Sequence, residues 1–205
     1  MSIVVDPVIA AGRHAAPHPT DARTPAAARA GAGAHTDAAA PAGTRDTDPQ
    51  TDARWLRRAV DLATANVTEG GGPFGAVVVA NGVEVAVGQN RVTRDLDPTA
   101  HAEVQAIRAA CRAAGTFALD GMTLYTSCEP CPLCLAACLW ARLDRVVFSA
   151  DRHDASRGGF DDSAFYELFA RDRGTWDRTR VAALRLPEAT QPFDAWLTHT
   201  ARTAY

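Results

Sequence analysis

The 205-residue sequence contains no lysine, so all 21 of its basic side chains are arginines. Together with 24 acidic side chains, they give a formal net charge of -3 at pH 7. Without an excess of basic residues, the chain has no cationic field that would attract nucleic acid by itself. The densest basic stretch, RWLRR, is equally well explained as one face of an amphipathic helix.

Large apolar side chains are missing from the front of the chain. From Ala10 through Arg54 there is no Val, Leu, Ile, Met, Phe, Trp or Tyr, and prolines interrupt the alanine runs. Such a segment cannot offset its conformational entropy by burial. We therefore predict that residues 1–50 form a disordered Ala/Pro-rich tail and that residues 51–205 form one domain.

Long apolar runs are also missing, which predicts that no segment spans a membrane. The short apolar run at the start is interrupted by Asp6 and Pro7 and has no basic residue before it, unlike a signal peptide. The cysteines number five, and three of them fall within seven residues. This crowding favours metal binding in a reducing compartment over a disulfide framework. A soluble, cytoplasmic protein is expected.

Two helices and a hairpin can be predicted from local patterns. Apolar residues at helical spacing within 53–67 predict an amphipathic helix. Two β-rich runs joined by Asn81-Gly82 predict a β-hairpin, since this dipeptide favours a tight two-residue turn. Val104, Ile107 and Cys111 then recur at three- and four-residue steps, which predicts a second amphipathic helix.

Further strands are predicted in the stretches MTLYTS, RVVFSA and VAALRL, and a last helix is predicted over residues 192–205. Strands that alternate with helices after one initial hairpin predict a mixed sheet with helices on both faces.

Four residues in two of these segments suggest a metal site. Cys131 and Cys134 stand three positions apart after a proline, a spacing at which two thiolates can meet one metal ion. His101, at the start of the second helix, is the obvious third ligand, and Glu103 follows two positions later. The pattern H-x-E with P-C-x-x-C downstream is typical of zinc deaminases. Three protein ligands leave one position for water, and Glu103 can move protons without binding the metal.

These residues also have plainer interpretations. His101 could be an ordinary histidine at a helix start, and Glu103 an acid favoured by the helix dipole. Cys128 is a rival ligand, although its place near a strand end favours a position beside the site or lining the pocket. Cys111 and Cys138 are predicted to be small core residues. His153 and His199 have no neighbours in the sequence that would suggest a metal site.

Beyond these patterns, the sequence resembles the cytidine-deaminase-like zinc enzymes and, among them, the bacterial guanine deaminases. The resemblance extends from about residue 70 to residue 205. Its markers are GGPFGAVVV, GQNRV, DPTAHAEVQAIRAAC, LYTSCEPCPLCLAACLWAR, GFDDSAFY and the closing PFDAW and AY. The GFDD motif and the aromatic C-terminus favour the guanine deaminases.

The resemblance implies an α/β fold, a three-layer α/β/α sandwich with a five-stranded mixed sheet. It implies a homodimer that exchanges C-terminal segments by domain swapping. It also implies one Zn²⁺ per subunit, held by His101, Cys131 and Cys134, with Glu103 as the proton shuttle.

Five other residues receive roles from the same resemblance. Asn90 matches an asparagine that hydrogen-bonds the purine ring, and Phe74 and Trp140 match pocket aromatics. Asp162 matches a second acid that helps ammonia leave, and Tyr205 matches a terminal tyrosine that closes the pocket, in its own subunit or in the partner. Taken alone, Asn90 could be a turn residue, Phe74 and Trp140 packing residues, and one of Asp161 and Asp162 a helix cap.

The leading hypothesis is hydrolytic deamination of guanine to xanthine and ammonia by zinc-bound hydroxide, a reaction of purine catabolism. An alternative is another base: cytosine, an aminotriazine, or adenosine in tRNA. A third hypothesis is a structural zinc module whose metal is also bound by Cys128 and therefore closed to water.

Overall fold

We analysed a computed structural model, which describes residues 48–176 and 179–204. Most of the predicted tail, residues 1–47, and Tyr205 lie outside the described residues. The helices and strands, in chain order, are α1 (Pro49–Thr68), β1 (Gly75–Ala80), β2 (Val83–Gln89), α2 (Val92–Asp95), α3 (Ala102–Ala114), β3 (Met122–Cys128), α4 (Pro132–Trp140), β4 (Arg145–Ala150), α5 (Arg152–Arg157), α6 (Ser163–Phe169), a 3₁₀ turn (Arg173–Thr175) and α7 (Gln191–Thr198). Within the described part of the chain, every helix is too short or too polar to cross a bilayer.

Helix α1 confirms the first predicted helix and extends it at its N-terminal end. Asp48 caps it, because its side chain accepts a hydrogen bond from the backbone N–H of Gln50, and Pro49 takes the first helical position. Trp55, Ala59 and Ala63 form its buried stripe. The apolar spacing in the sequence therefore identified the face that packs on the sheet.

The hairpin is formed as predicted. Ala80 pairs with Val83, and both turn residues, Asn81 and Gly82, have positive φ angles of 50° and 75°. Positive φ at both turn positions is the requirement that Asn-Gly meets with little strain.

The sheet has the order β2-β1-β3-β4. Strand β1 pairs antiparallel with β2 and with β3, and β3 pairs parallel with β4, so the sheet is mixed as predicted. One face packs on α1 through Val77, Val79 and Tyr125. The other face packs on α3 and α4 through Ala76 and Val78. The α/β sandwich of the prediction is confirmed.

The predicted fifth strand is wrong within the described residues, where the sheet has four strands. The VAALRL stretch at 181–186 has no regular structure, and Val181, Leu184 and Leu186 are exposed. A strand forms only where its backbone groups can pair with a neighbouring edge, and this segment meets no such edge in the described chain. The last predicted helix is present as α7, which ends at Thr198.

Candidate active site

Two helix starts supply the three residues predicted to bind metal. His101 is the N-cap residue of α3 and Cys131 is the N-cap residue of α4, and neither side chain caps its own helix. Cys134 lies in the first turn of α4 and is fully buried. The unpaired N–H groups and the dipole at a helix start stabilise negative charge, so both thiols lie where a thiolate is favoured.

The three ligand atoms lie at distances suited to zinc. His101 Nδ1 is 3.5 Å from Cys131 Sγ and 3.4 Å from Cys134 Sγ, and the two sulfurs are 3.6 Å apart. Bonds of about 2.0 Å to nitrogen and 2.3 Å to sulfur at tetrahedral angles require separations of about 3.5–3.8 Å. Among the described residues, this trio is the one group of His, Cys, Asp and Glu that could hold a metal ion.

The charges within the trio favour one thiolate. A hydrogen bond from the Cys134 thiol, assisted by His101, lowers the pKa of Cys131 to about 4. The hydrogen bond with Cys131 in turn raises the pKa of His101, and the same neighbour raises the pKa of Cys134. Because the thiolate is the form of cysteine that binds metals, Cys131 is prepared for that role at neutral pH.

Glu103 lies beside the trio in the first turn of α3, where it interacts with Cys134, and is only 5% exposed. Burial raises the pKa of its carboxyl group, so the side chain can hold a proton more readily than an exposed glutamate. Helix α3 is brought close to the sheet at Gly88 of β2, where a Cβ atom would lie 2.1 Å from the Ala102 carbonyl oxygen. This glycine therefore allows α3 to lie close to the sheet, and that close contact determines how deeply Glu103 is buried.

A cavity of about 750 Å³ opens onto these residues and contains several of the predicted site residues. His101, Glu103 and Cys131 line it, and Asn90, Phe74 and Asp162 line it as well. Trp140 lies at the end of α4, is 67% exposed and does not line the cavity. Tyr205 lies outside the described residues. The substrate roles of Trp140 and Tyr205 stay predictions.

The two neighbouring aspartates of the GFDD motif are held differently. Asp161 accepts a hydrogen bond of 3.0 Å from the backbone N–H of Ser163 in α6. Asp162 is the N-cap residue of that helix, but its side chain makes no capping hydrogen bond. Burial, reinforced by the negative charge of Cys131, raises the pKa of Asp162. Asp161 thus has the capping role, and the Asp162 carboxyl group remains available to the cavity.

The other cysteines occupy the predicted positions. Cys128 ends β3, lines the cavity, and donates a 3.6 Å hydrogen bond to the Asp151 carbonyl oxygen. Burial raises its pKa to about 11, and its sulfur does not belong to the group of ligand atoms that lie within 4.8 Å of one another. Cys138 is buried in the core and Cys111 packs against it. His153 and His199 belong to no potential metal group within 48–176 and 179–204.

Sequence reasoning missed part of the cavity rim. The Phe160 ring lies edge-on to Phe74, with ring centroids 5.0 Å apart. Arg152 forms an ion pair with Glu129 and lies over the Tyr166 ring at 4.0 Å. These contacts join residues far apart in sequence, so periodicity cannot indicate them. The phenylalanine within GFDD was the only available signal.

Comparison with known proteins agrees with this geometry. The family described as the cytidine and deoxycytidylate deaminase zinc-binding region matches residues 49–150. Guanine deaminase from Bacillus subtilis is 51% identical over 144 residues, which cover 69% of this chain and 91% of the relative. The chain belongs to the cytidine-deaminase-like zinc enzymes. Zinc is therefore its cofactor, in agreement with the donor set and spacing of the trio.

Solved structures of this zinc-enzyme family show the same fold. The crystal structure of guanine deaminase from Bacillus subtilis matches with a TM-score of 0.73 and 45% identity, over 78% of this chain and 99% of that chain. Guanine deaminase from Nitrosomonas europaea matches with a TM-score of 0.52 and 31% identity, over 62% of this chain and 74% of that chain.

A second relative by sequence acts on another substrate class by its name. The tRNA-specific adenosine deaminase of Bacillus subtilis is 39% identical over 99 residues, which cover 48% of this chain and 62% of the relative.

Proposed function

We propose that the protein hydrolyses guanine to xanthine and ammonia. The observation that carries this proposal is the trio of His101, Cys131 and Cys134, two of whose members, His101 and Cys131, line the same cavity as the buried carboxyl group of Glu103. The choice of guanine is supported by the similarity to a guanine deaminase over nearly the whole length of that relative.

Two acids would carry the proton transfers. Zinc, when bound by His101, Cys131 and Cys134, supplies a Lewis acid that makes hydroxide available at neutral pH. Glu103 would take one proton from water and deliver it to a ring nitrogen of the base. It would then take a second proton from the hydroxyl group added to the ring carbon and deliver it to the departing amine. A buried carboxyl group with a raised pKa suits a shuttle that must both accept and donate. Asp162, at the rim, would assist the departure of ammonia.

The cavity walls would select a flat heterocycle. Asn90 is buried and lines the cavity, so its amide can pair with donor and acceptor groups on the edge of a purine. Phe74 and Phe160 both line the cavity, where they supply apolar aromatic surface for the base.

The proposed substrate is tested by ammonia release from the zinc-loaded protein, measured in parallel with guanine, cytosine, adenine, an aminotriazine and a tRNA that carries the target adenosine. Guanine is expected to give the highest kcat/KM. Faster release from any other of these substrates would overturn the choice of guanine. No ammonia from any of them, together with a metal bound by four protein ligands, would favour the structural zinc module.

We further propose a homodimer that exchanges C-terminal segments. Support comes from apolar side chains that a single chain leaves exposed in the last part of the sequence, which are Val181, Leu184, Leu186, Phe193, Trp196 and Leu197. Helix α4 also exposes Leu135 and Leu139. An exposed apolar surface of this kind is typical of an interface. In such a dimer we expect the partner's Tyr205 to close the cavity.

A cytoplasmic location and a place in purine catabolism follow from the same proposal. Five cysteines are free thiols, as expected in a reducing compartment. The proposed product, xanthine, has lost the exocyclic amino group of guanine, which fits a degradative reaction rather than a biosynthetic one.

A further inference from the structure

Asn66, in the last turn of α1, is fully buried although its side chain is polar. It does not line the cavity, and its position in the sequence predicts no function. Its amide nitrogen donates two hydrogen bonds, one of 2.8 Å to the Gly72 carbonyl oxygen and one of 2.7 Å to the Asn90 carbonyl oxygen. One buried side chain thus contacts two separate segments of the cavity wall.

These two bonds close a ring of hydrogen bonds around the cavity wall. The Phe74 N–H donates to the Gly72 carbonyl oxygen at 2.8 Å, and the Asn90 N–H donates to the Phe74 carbonyl oxygen at 3.1 Å. Asn66 joins the two ends of this chain, because it bonds both Gly72 and Asn90. The ring therefore fixes the distance between Phe74 and Asn90, which carry the aromatic and the polar contacts of the proposed purine site.

The orientation of the Asn66 amide follows from its partners. Two carbonyl oxygens face one end of the side chain, so the nitrogen and not the oxygen must lie there. Among the described residues, the Asn66 Oδ1 atom has no hydrogen-bond partner, which is an unfavourable state for a buried acceptor. Packing alone would favour an apolar side chain here, whereas the two donors explain an asparagine.

Gly71 shows how tightly the amide is enclosed. A Cβ atom at Gly71 would lie 2.3 Å from the Asn66 Nδ2 atom and 2.5 Å from Oδ1. The Gly71 N–H also donates to the Asn66 backbone carbonyl oxygen at 2.9 Å. The glycine loop therefore closes directly over the asparagine, and any larger residue at position 71 must displace the amide.

We propose that Asn66 is a positioning residue for substrate binding, which sets Phe74 and Asn90 in the mutual arrangement that the purine base requires. This role rests on the proposed guanine deamination. Asn66 acts through the two cavity residues and does not touch the base.

The same loop has a second anchor that allows a matched control. The Thr93 hydroxyl donates a 3.0 Å hydrogen bond to the Gly70 carbonyl oxygen. This bond holds the loop but joins neither Phe74 nor Asn90. A general loosening of the loop would follow from the loss of either anchor, whereas a positioning role belongs to Asn66 alone.

The kinetic test compares Asn66→Ala with Thr93→Val in zinc-loaded protein. Loss of two buried hydrogen bonds should raise the KM for guanine about tenfold or more in Asn66→Ala and lower kcat by less than about threefold. Zinc content should not change, and Thr93→Val should leave KM within about twofold of the parent chain. An unchanged KM in Asn66→Ala, or an equal rise in both variants, would overturn the proposal.

A second readout does not depend on the substrate. Hydrogen exchange at the Phe74 and Asn90 amides should be about tenfold faster in Asn66→Ala and unchanged in Thr93→Val. If the parent chain released no ammonia from guanine, the proposed function would fail, and this exchange experiment would still decide whether Asn66 holds the two residues. Unchanged exchange at both amides in Asn66→Ala would show that Asn66 does not hold Phe74 and Asn90 in place.

Gly71→Ala serves if Asn66→Ala does not fold. It keeps the asparagine but displaces its amide, and it should raise KM and speed exchange in the same way. Where the double variant folds, it should be no worse than Asn66→Ala alone, because the added methyl group then occupies vacated space. Independent, additive effects of the two substitutions would contradict the close contact between position 71 and the Asn66 amide.

Discussion

The chain up to Ala141 and the chain after it differ in how far they bury their apolar side chains. Among the described residues, all of the buried ones lie between Trp55 and Ala141, and none lies in 142–176 or 179–204. The first region contains three of the four strands, the buried core and the metal trio, and the fourth strand, β4, lies in the second region. The second adds Phe160 and Asp162 to the cavity rim. The first region thus has the packing of a folded domain, whereas the second leaves large apolar side chains exposed.

The largest expected effect comes from a change at the metal trio in the first region. Cys134→Ser removes a thiolate ligand and should abolish stoichiometric zinc binding and lower ammonia release about 1,000-fold or more. Zinc is measured by atomic emission on the purified variant and activity on the same sample. Cys111→Ser, which changes a thiol outside the trio, should retain both zinc and activity. Full zinc content in Cys134→Ser would contradict the assignment.

A charge introduced in the second region should separate the subunits of the proposed dimer. Leu184 is 87% exposed in the single chain, so Leu184→Asp should not destabilise a monomer. If an exchanged partner covers this side chain, the substitution should raise the dimer dissociation constant about 100-fold, or about 2.7 kcal/mol, measured by sedimentation equilibrium.

Leu96→Asp is the matched control for that experiment. Leu96 is 89% exposed but lies in the first region, at the left-handed C-cap of α2 with φ of 53°. Aspartate tolerates this conformation, so the control should fold and keep the parent's mass in solution. Equal masses for all three proteins would argue against the exchanged dimer.

A polar contact between α1 and the sheet should affect the free energy of unfolding but not the active site. Asp52 in the first turn of α1 accepts a 2.8 Å hydrogen bond from Tyr125 and pairs with Arg145 of β4 at 2.5 Å. Asp52→Asn should lower the free energy of unfolding by about 2 kcal/mol, because it weakens a partly buried pair that also binds the Tyr125 hydroxyl group. Glu84→Gln, at the exposed ion pair with Arg58, should change it by less than about 1 kcal/mol. Urea titrations measure the free energy of unfolding of both variants. Similar decreases in Asp52→Asn and Glu84→Gln would contradict the expected difference between the two ion pairs.

The smallest effect concerns alkaline pH. Burial and the hydrogen bond to Asp52 raise the pKa of Tyr125 to about 12. Because the folded pKa exceeds the unfolded value of about 10, this contribution to stability is complete below pH 10 and is lost as pH rises towards 12. The chain has no lysines that would titrate in this window, but Tyr166 and Cys138 have their pKa raised to about 12 and Cys128 has its pKa raised to about 11.

Tyr125→Phe tests that dependence. The melting temperature of the variant should fall less between pH 9 and pH 11 than that of the parent chain. Equal slopes would mean that Tyr125 does not contribute to alkaline unfolding.

The sequence predicted what depends on local pattern and motif. Helix α1, the Asn81-Gly82 turn and the positions of His101 and Cys131 at helix starts all follow from spacing, turn chemistry and capping. Asn66 and the Asp52 contact with Arg145 could not be predicted, since they join positions far apart in the chain. The predicted fifth strand at 181–186 was wrong because a short apolar stretch specifies neither a strand nor a partner edge.

We propose that Glu103 moves protons beside a zinc ion that it does not bind. The most direct test measures zinc content and guanine turnover on one sample of Glu103→Gln. We expect about one zinc per chain, as in the parent, with turnover lowered about 1,000-fold or more. Turnover close to that of the parent, or loss of the metal together with the activity, would contradict it.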